Sequence, residues 1–191
     1  MTNLTISKAV FLDRDGVINR DRGYVSTWSE FEFLPGVVAA LSDLQALGYR
    51  LIIVTNQSGI GRGFYTEGDF AELSTRLIDF LADHDVMLTA IYHCPHHPTE
   101  AVGGFRKDCD CRKPRSGMIV RGLNDWELVP EDCALVGDKP SDIEAGQGAG
   151  IAHLFQVGMQ PACNGATSVS DLSEVVQYLT RLDEAQSSGG Y

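Results

Sequence analysis

Two short runs constrain what this chain can fold into more than any other feature. Lys8 to Asp13 (KAVFLD) and Arg50 to Thr55 (RLIIVT) are apolar and β-branched, with no polar alternation. A strand with one wet face alternates apolar and polar residues, so a continuous run marks a strand covered on both faces, as in a parallel sheet. Between them, Pro35 to Gly48 reads as a helix. Pro35 suits the first turn, Val37, Val38, Leu41, Leu44 and Leu47 form a helical stripe, and Gly48 stops it.

The same rhythm continues downstream. Thr66 and Asp69 have capping-box spacing ahead of a stripe of Phe70, Leu73, Leu77, Phe80 and Leu81. Strands are expected at Val86 to Tyr92, Ala134 to Gly137 and Ile151 to Val157. Helices are expected at Ser116 to Trp126, Ser141 to Gly148 and Val169 to Leu182, followed by a frayed SSGGY tail. Alternating elements over 191 residues predict an α/β, doubly wound, mostly parallel sheet in one domain spanning 1–191. No stretch is long enough to insert a large cap domain.

Composition excludes several classes. With 43% apolar and 21% charged residues the chain is globular rather than disordered. No apolar run approaches a membrane span, and MTNLTISKAV lacks the layout of a signal peptide, so a cytoplasmic address is expected. A net charge of −11 argues against nucleic acid as a partner. Residues 106–115 (RKDCDCRKPR) nevertheless carry five Lys/Arg against two Asp, a local +3 that leaves −14 elsewhere. A basic island on an acidic body suits capture of a small anion. Five cysteines without a secretion signal point to metal or free thiols rather than disulfides.

In open parallel sheets, sites gather at the carboxyl ends of strands. Those ends carry Asp13 and Asp15, then Thr55, Asn56 and Gln57, then the loop from Cys94, then Asp138 and Lys139. Three carboxylates on one rim repel unless a cation joins them, and hard oxygen ligands suit Mg²⁺. Asp13 at the strand end can attack phosphorus, while Asp15, past the turn, can serve as general acid and then base.

The segment Cys94 to Arg115 has neither helical nor strand period over 22 residues, which marks it as functional. Cys94, His96, Cys109 and Cys111 supply the four donors of a closed, structural Zn²⁺ site. His93, His97, His84 and His153 read as ordinary packing or loop residues, Cys133 as a buried small apolar residue, and Cys163 has no assigned role. Pro114 biases Lys113 toward an extended conformation. Gly59 to Gly63 lacks dinucleotide-loop spacing and reads as a flexible substrate loop.

FLDRDGVIN (11–19), VTNQSGIGRG (54–63), CPHHP (94–98), CDCRKP (109–114) and VGDKPSDIEAG (136–146) occur in the order of a haloacid dehalogenase superfamily phosphatase. Within it, the chain resembles the heptose-bisphosphate phosphatases of the histidinol-phosphatase-like subfamily. That resemblance implies hydrolysis of a sugar bisphosphate, with Asp13 as nucleophile and Asp15 as general acid/base. It implies Mg²⁺ on the Asp13 carboxylate, the Asp15 carbonyl and Asp138, with Thr55 and Lys113 stabilising the transferring phosphoryl group. It further implies substrate contacts from Asp21, Arg22, Gly23, Tyr24, Asn56, Gln57, Ser58, Arg112 and Lys139, and a zinc loop on the four Cys/His donors. The family acts in the synthesis of nucleotide-activated heptose for lipopolysaccharide or related glycans.

The nearest relative reading is a histidinol-phosphate phosphatase, whose zinc loop is shorter than the 12 residues between His96 and Cys109 here. A polynucleotide phosphatase is disfavoured by charge. A phospho-acceptor or zinc-stapled binding module without turnover is disfavoured by Asp15. A monomer is expected, since no heptad stripe calls for a partner.

Overall fold

The computed structural model describes residues 8–158 and 162–188. Six strands form one parallel sheet in the order β3-β2-β1-β4-β5-β6. They are β1 (Ala9–Leu12), β2 (Arg50–Asn56), β3 (Leu88–Cys94), β4 (Ala134–Gly137), β5 (His153–Val157) and β6 (Thr167–Val169). The helices are α1 (Val37–Ala46), α2 (Ser58–Arg62), α3 (Glu67–Ala82), α4 (Gly117–Asp125), α5 (Pro140–Gly148) and α6 (Leu172–Ser188).

The unalternating runs are explained by burial on both faces. Val10, Leu12, Leu51, Ile53 and Val136 point to a core closed by Leu41 and Leu44 of α1, Leu73 and Leu77 of α3, and Val175 and Leu179 of α6. Ala9, Phe11, Ile52, Val54 and Leu135 point the other way, onto Met118, Ile119 and Leu123 of α4 and Ile143 of α5. Each large aliphatic side chain buried this way contributes about 1.5–3 kcal/mol.

The expected elements are present with shifted edges. The Thr66–Asp69 capping box forms in both directions and starts α3. Strand β3 begins at Leu88 rather than Val86, because the chain still turns after α3: Asp85 has φ 60° and the Val86 N–H donates to Leu81 O.

Two expectations are corrected. The Gly59–Gly63 stretch is not a flexible loop: Ser58–Arg62 forms a short helix, and its glycines let it pack closely. A Cβ on Gly61 would stand 2.4 Å from the Pro95 carbonyl oxygen. Val169 ends an added edge strand, and α6 starts only at Leu172, after Asp171 Oδ1 accepts from the Ser173 and Glu174 N–H groups. Helix α6 extends through Ser188, and the rest of the tail lies outside the described residues. So does most of the N-terminal segment. Among the described residues, no helix is long and apolar enough to cross a membrane, and no helical domain is inserted between the strands.

Candidate active site

Strand order reverses at β1, which pairs with β2 on one side and β4 on the other. A crevice opens where consecutive connections leave on opposite faces of the sheet. The residues just past β1 and β4, Asp13 and Asp138, both lie at this crevice. Asp13 is tied to β4 by its N–H, which donates to Val136 O at 2.9 Å.

Lys113 arrives from the loop that follows Cys94. Its Nζ donates to Asp13 Oδ1 at 2.7 Å and to Val54 O at 2.8 Å, and lies 2.7 Å from Asp142 Oδ1. All three charged side chains are buried. Burial pushes Asp13 up to about 7, with Asp142 and Asp15 adding to the push and Lys113 opposing it. Burial alone would lower Lys113, but the fields of Asp13 and Asp142 outweigh it and raise its pKa. Without a further cation the crevice floor therefore retains protons on these groups.

Asp15 lies beyond the turn, held by three donors. Arg14 Nη2 donates to both carboxylate oxygens at 3.0 and 2.9 Å, Asn19 Nδ2 to Oδ1 at 2.9 Å, and Gln57 Nε2 to Oδ2 at 3.1 Å. Gly16 makes the turn possible with φ 96°, and a Cβ there would collide with Asp138 Oδ2 at 2.4 Å. The same Gln57 amide donates to Thr55 Oγ1 at 2.9 Å and accepts from the Tyr65 hydroxyl at 2.5 Å.

Two adjoining cavities share Asp15, Asn56 and Lys139. The inner one, ≈ 50 Å³, is lined by Asp13, Thr55, Lys113 and Asp142 among others. The outer one, ≈ 290 Å³, adds Asp21, Gly23, Tyr24, Gln57 and Tyr65. Lys139 Nζ bridges Asp21 Oδ2 at 3.0 Å and Asp138 Oδ2 at 3.8 Å. Burial works against its charge, yet those acids raise its pKa overall.

Other expected substrate residues point elsewhere in this state. Arg22 pairs with Glu32. Gln57 and Ser58 are buried, with Gln57 engaged by its neighbours. Arg112 Nη1 donates to His96 O at 3.2 Å. The Lys113–Pro114 peptide is cis. Asn56 bonds the Lys113 backbone.

Asp13, Asp138 and Asp142 each bring a carboxylate oxygen within 4.8 Å of the others. Asp138 Oδ1 is buried with no hydrogen-bond partner, and burial raises the Asp138 pKa. A buried, unpartnered carboxylate oxygen beside two others is the donor set a hard divalent cation fits. Asp142 was not singled out in the sequence. Its signal was there: it lies four residues after Asp138 in GDKPSD, and its Oδ2 accepts from the Lys139 N–H at the start of α5. Arg14, Asn19 and Tyr65 were also missed, because their roles are second-hand, through Asp15 and Gln57.

The loop from Cys94 to Arg115 brings Cys94, His96, Cys109 and Cys111 together, a group that could hold a metal ion. The sulfurs of Cys94, Cys109 and Cys111 lie 3.2–3.5 Å apart, and His96 Nδ1 lies 3.6 and 3.3 Å from Cys94 and Cys111. A tetrahedron with Zn–S bonds of about 2.3 Å separates sulfurs by roughly 3.8 Å, so little motion would admit the ion. Burial raises Cys94 and Cys111, so these two thiols hold protons that a cation would displace, whereas at Cys109 burial is outweighed by hydrogen bonds from Cys111, Cys94 and the backbone and the pKa is lowered. His97 instead accepts from the Thr99 and Glu100 N–H groups, and His93 pairs with Glu67. Cys133 is fully buried.

A family model described as haloacid dehalogenase-like hydrolase matches residues 6–150. A Pasteurella multocida protein named D-glycero-beta-D-manno-heptose-1,7-bisphosphate 7-phosphatase is 42% identical over 183 residues, covering 91% of this chain and 99% of its own. A Burkholderia mallei protein carrying the corresponding alpha name is 41% identical over 178 residues, covering 91% and 94%. The solved D,D-heptose 1,7-bisphosphate phosphatase from B. bronchiseptica, complexed with magnesium and phosphate, superposes with a TM-score of 0.80 at 28% identity, over 91% of this chain and 98% of that one. The match over most of the chain agrees with the crevice between β1 and β4, and the chain belongs to the haloacid dehalogenase-like hydrolases.

Proposed function

We propose that this chain is a Mg²⁺-dependent phosphatase that removes the 7-phosphate of D-glycero-D-manno-heptose 1,7-bisphosphate, in the supply of nucleotide-activated heptose. The observation that carries this reading is Lys113 Nζ held 2.7 Å from Asp13 Oδ1 at the crevice floor, beside the unpartnered Asp138 Oδ1.

Asp13 attacks phosphorus through a carboxylate oxygen, and the bond from phosphorus to the sugar oxygen breaks. Asp15 gives its proton to that leaving oxygen. A phosphoryl-aspartate remains on Asp13. Asp15, now a carboxylate, takes a proton from water as the water attacks phosphorus, which releases inorganic phosphate and restores Asp13.

Lys113 and Thr55 flank the inner cavity and stabilise the charge spread over the phosphoryl oxygens. Asp13, Asp138 and the Asp15 carbonyl would hold Mg²⁺, which would supply charge neutralisation there. Asp142 sets the orientation of Lys113. The outer cavity, with Asp21, Gly23, Tyr24 and Lys139, takes the sugar. Cys94, His96, Cys109 and Cys111 would hold a structural Zn²⁺, which would fix the loop presenting Arg112 and Lys113. Gln57 lines the outer cavity, and Arg22, Ser58 and Arg112 would have to leave their present partners or burial to complete the substrate contacts.

Phosphate release with Mg²⁺ from the β-anomer, the α-anomer and histidinol phosphate, assayed side by side, tests the reading. Preference for a heptose anomer is the expected outcome and identifies the anomer. Preference for histidinol phosphate, or a single phosphorylation without turnover, overturns it.

A further inference from the structure

Asn56 stands at the end of β2, and its side chain holds the backbone of a residue 57 positions away. Its Nδ2 donates to the Lys113 carbonyl at 3.1 Å, and the Lys113 N–H donates to its Oδ1 at 3.1 Å. One planar amide thus satisfies both backbone polar groups of Lys113, as a neighbouring strand would. The surrounding loop has no strand to do this. The backbone of Asn56 is fixed by its sheet register with Cys94, and the next N–H, from Gln57, donates to Cys94 O at 2.8 Å.

Lys113 is therefore anchored to β2 twice, through its backbone by Asn56 and through Nζ by Val54 O. A lysine stem has enough rotamer freedom that fixing its tip requires fixing its base.

We propose that Asn56 is a positioning residue for Lys113, acting through the Lys113 backbone rather than as a substrate ligand. This rests on the reading of Lys113 as the phosphoryl-stabilising residue. A misplacement of about 1 Å at a reacting group costs on the order of a hundredfold in rate, so Asn56→Ala is expected to lower kcat about tenfold or more. KM stays within about twofold, because uniform binding is untouched. Zinc content stays at the parent level. Asn56→Asp, which is isosteric but loses the donor to the Lys113 carbonyl, lowers kcat in the same way.

The deciding experiment is a double-mutant cycle on the full chain with both metals present. If Asn56 acts through Lys113, adding Asn56→Ala to Lys113→Ala costs less than about twofold further in kcat. An undiminished penalty in the Lys113→Ala background overturns the inference while leaving the Lys113 reading intact. A raised KM with parent kcat in Asn56→Ala overturns it in favour of a substrate ligand. Parent kcat in Lys113→Ala overturns the Lys113 reading, and this inference with it.

Discussion

Lys113 Nζ lies 2.7 Å from Asp13 Oδ1, across 100 positions of sequence, and it meets Asp142 at the same distance on its other side. Two buried carboxyl groups face one ammonium, and burial raises Asp13 to about 7, so the floor is balanced either by a proton on Asp13 or by a further cation that displaces it.

Asp13→Asn removes the proposed nucleophile while keeping an oxygen for Lys113, which also retains Asp142. Turnover is expected to fall on the order of a thousandfold or more, as for a deleted nucleophile. The melting temperature stays within about 5 °C of the parent, as expected when little stability is lost. Phosphate release and thermal melting together check this, and residual activity near the parent rate sinks the nucleophile assignment.

Lys113→Ala deletes the cationic donor beside the oxygen of the proposed nucleophile. The chemical step is expected to slow on the order of a hundredfold or more. Single-turnover kinetics separates this from binding, and a change confined to KM counts against the role.

Asp142→Ala leaves Lys113 with one counter-charge and removes the acceptor for the Lys139 N–H at the start of α5. The lost cap costs about 1 kcal/mol. Looser positioning of Lys113 lowers kcat about tenfold. Denaturant unfolding and steady-state kinetics read the two effects independently.

Cys109→Ser is expected to lose zinc. With only three donors left, the loop carrying Arg112 and Lys113 loses its clamp, and activity falls with metal content. Metal analysis of the purified variant decides it, and a full complement of zinc overturns the four-donor assignment.

Mg²⁺ affinity should depend on pH through Asp13. Burial raises Asp13 to about 7, so below that pH the ion must displace a proton. Affinity is expected to drop about tenfold per pH unit below 7 and to flatten above it. Titration calorimetry in buffers of different ionisation enthalpy reads the proton release directly. In the metal-free fold the sign is the reverse of an ordinary acid. Protonated Asp13 is favoured in the folded state, so its stabilisation is full below 3.8 and is lost as pH rises through about 7.

Much of this architecture was legible because it is written in local pattern. The unalternating strands at β1, β2 and β4 and the Thr66–Asp69 cap need only nearby residues to declare themselves. The short strand β6 did not, because three residues carry too little period to compete with the helix that follows. Helix α2 did not, because its glycines disfavour helix until Tyr65, Pro95 and Ala101 close around them.

By itself, the sequence determined a doubly wound sheet, the strand ends that carry Asp13, Thr55 and Asp138, and the four sulfur and nitrogen donors of the loop. Only the tertiary structure decided which partners those side chains take. Asp142 faces Lys113, Arg14 and Asn19 hold Asp15, and the Asn56 amide pairs with the Lys113 backbone. Those choices depend on desolvation and on distances between segments far apart in the chain. Residue type and spacing specify which groups can pair, but only packing removes the water that would otherwise satisfy each of them separately.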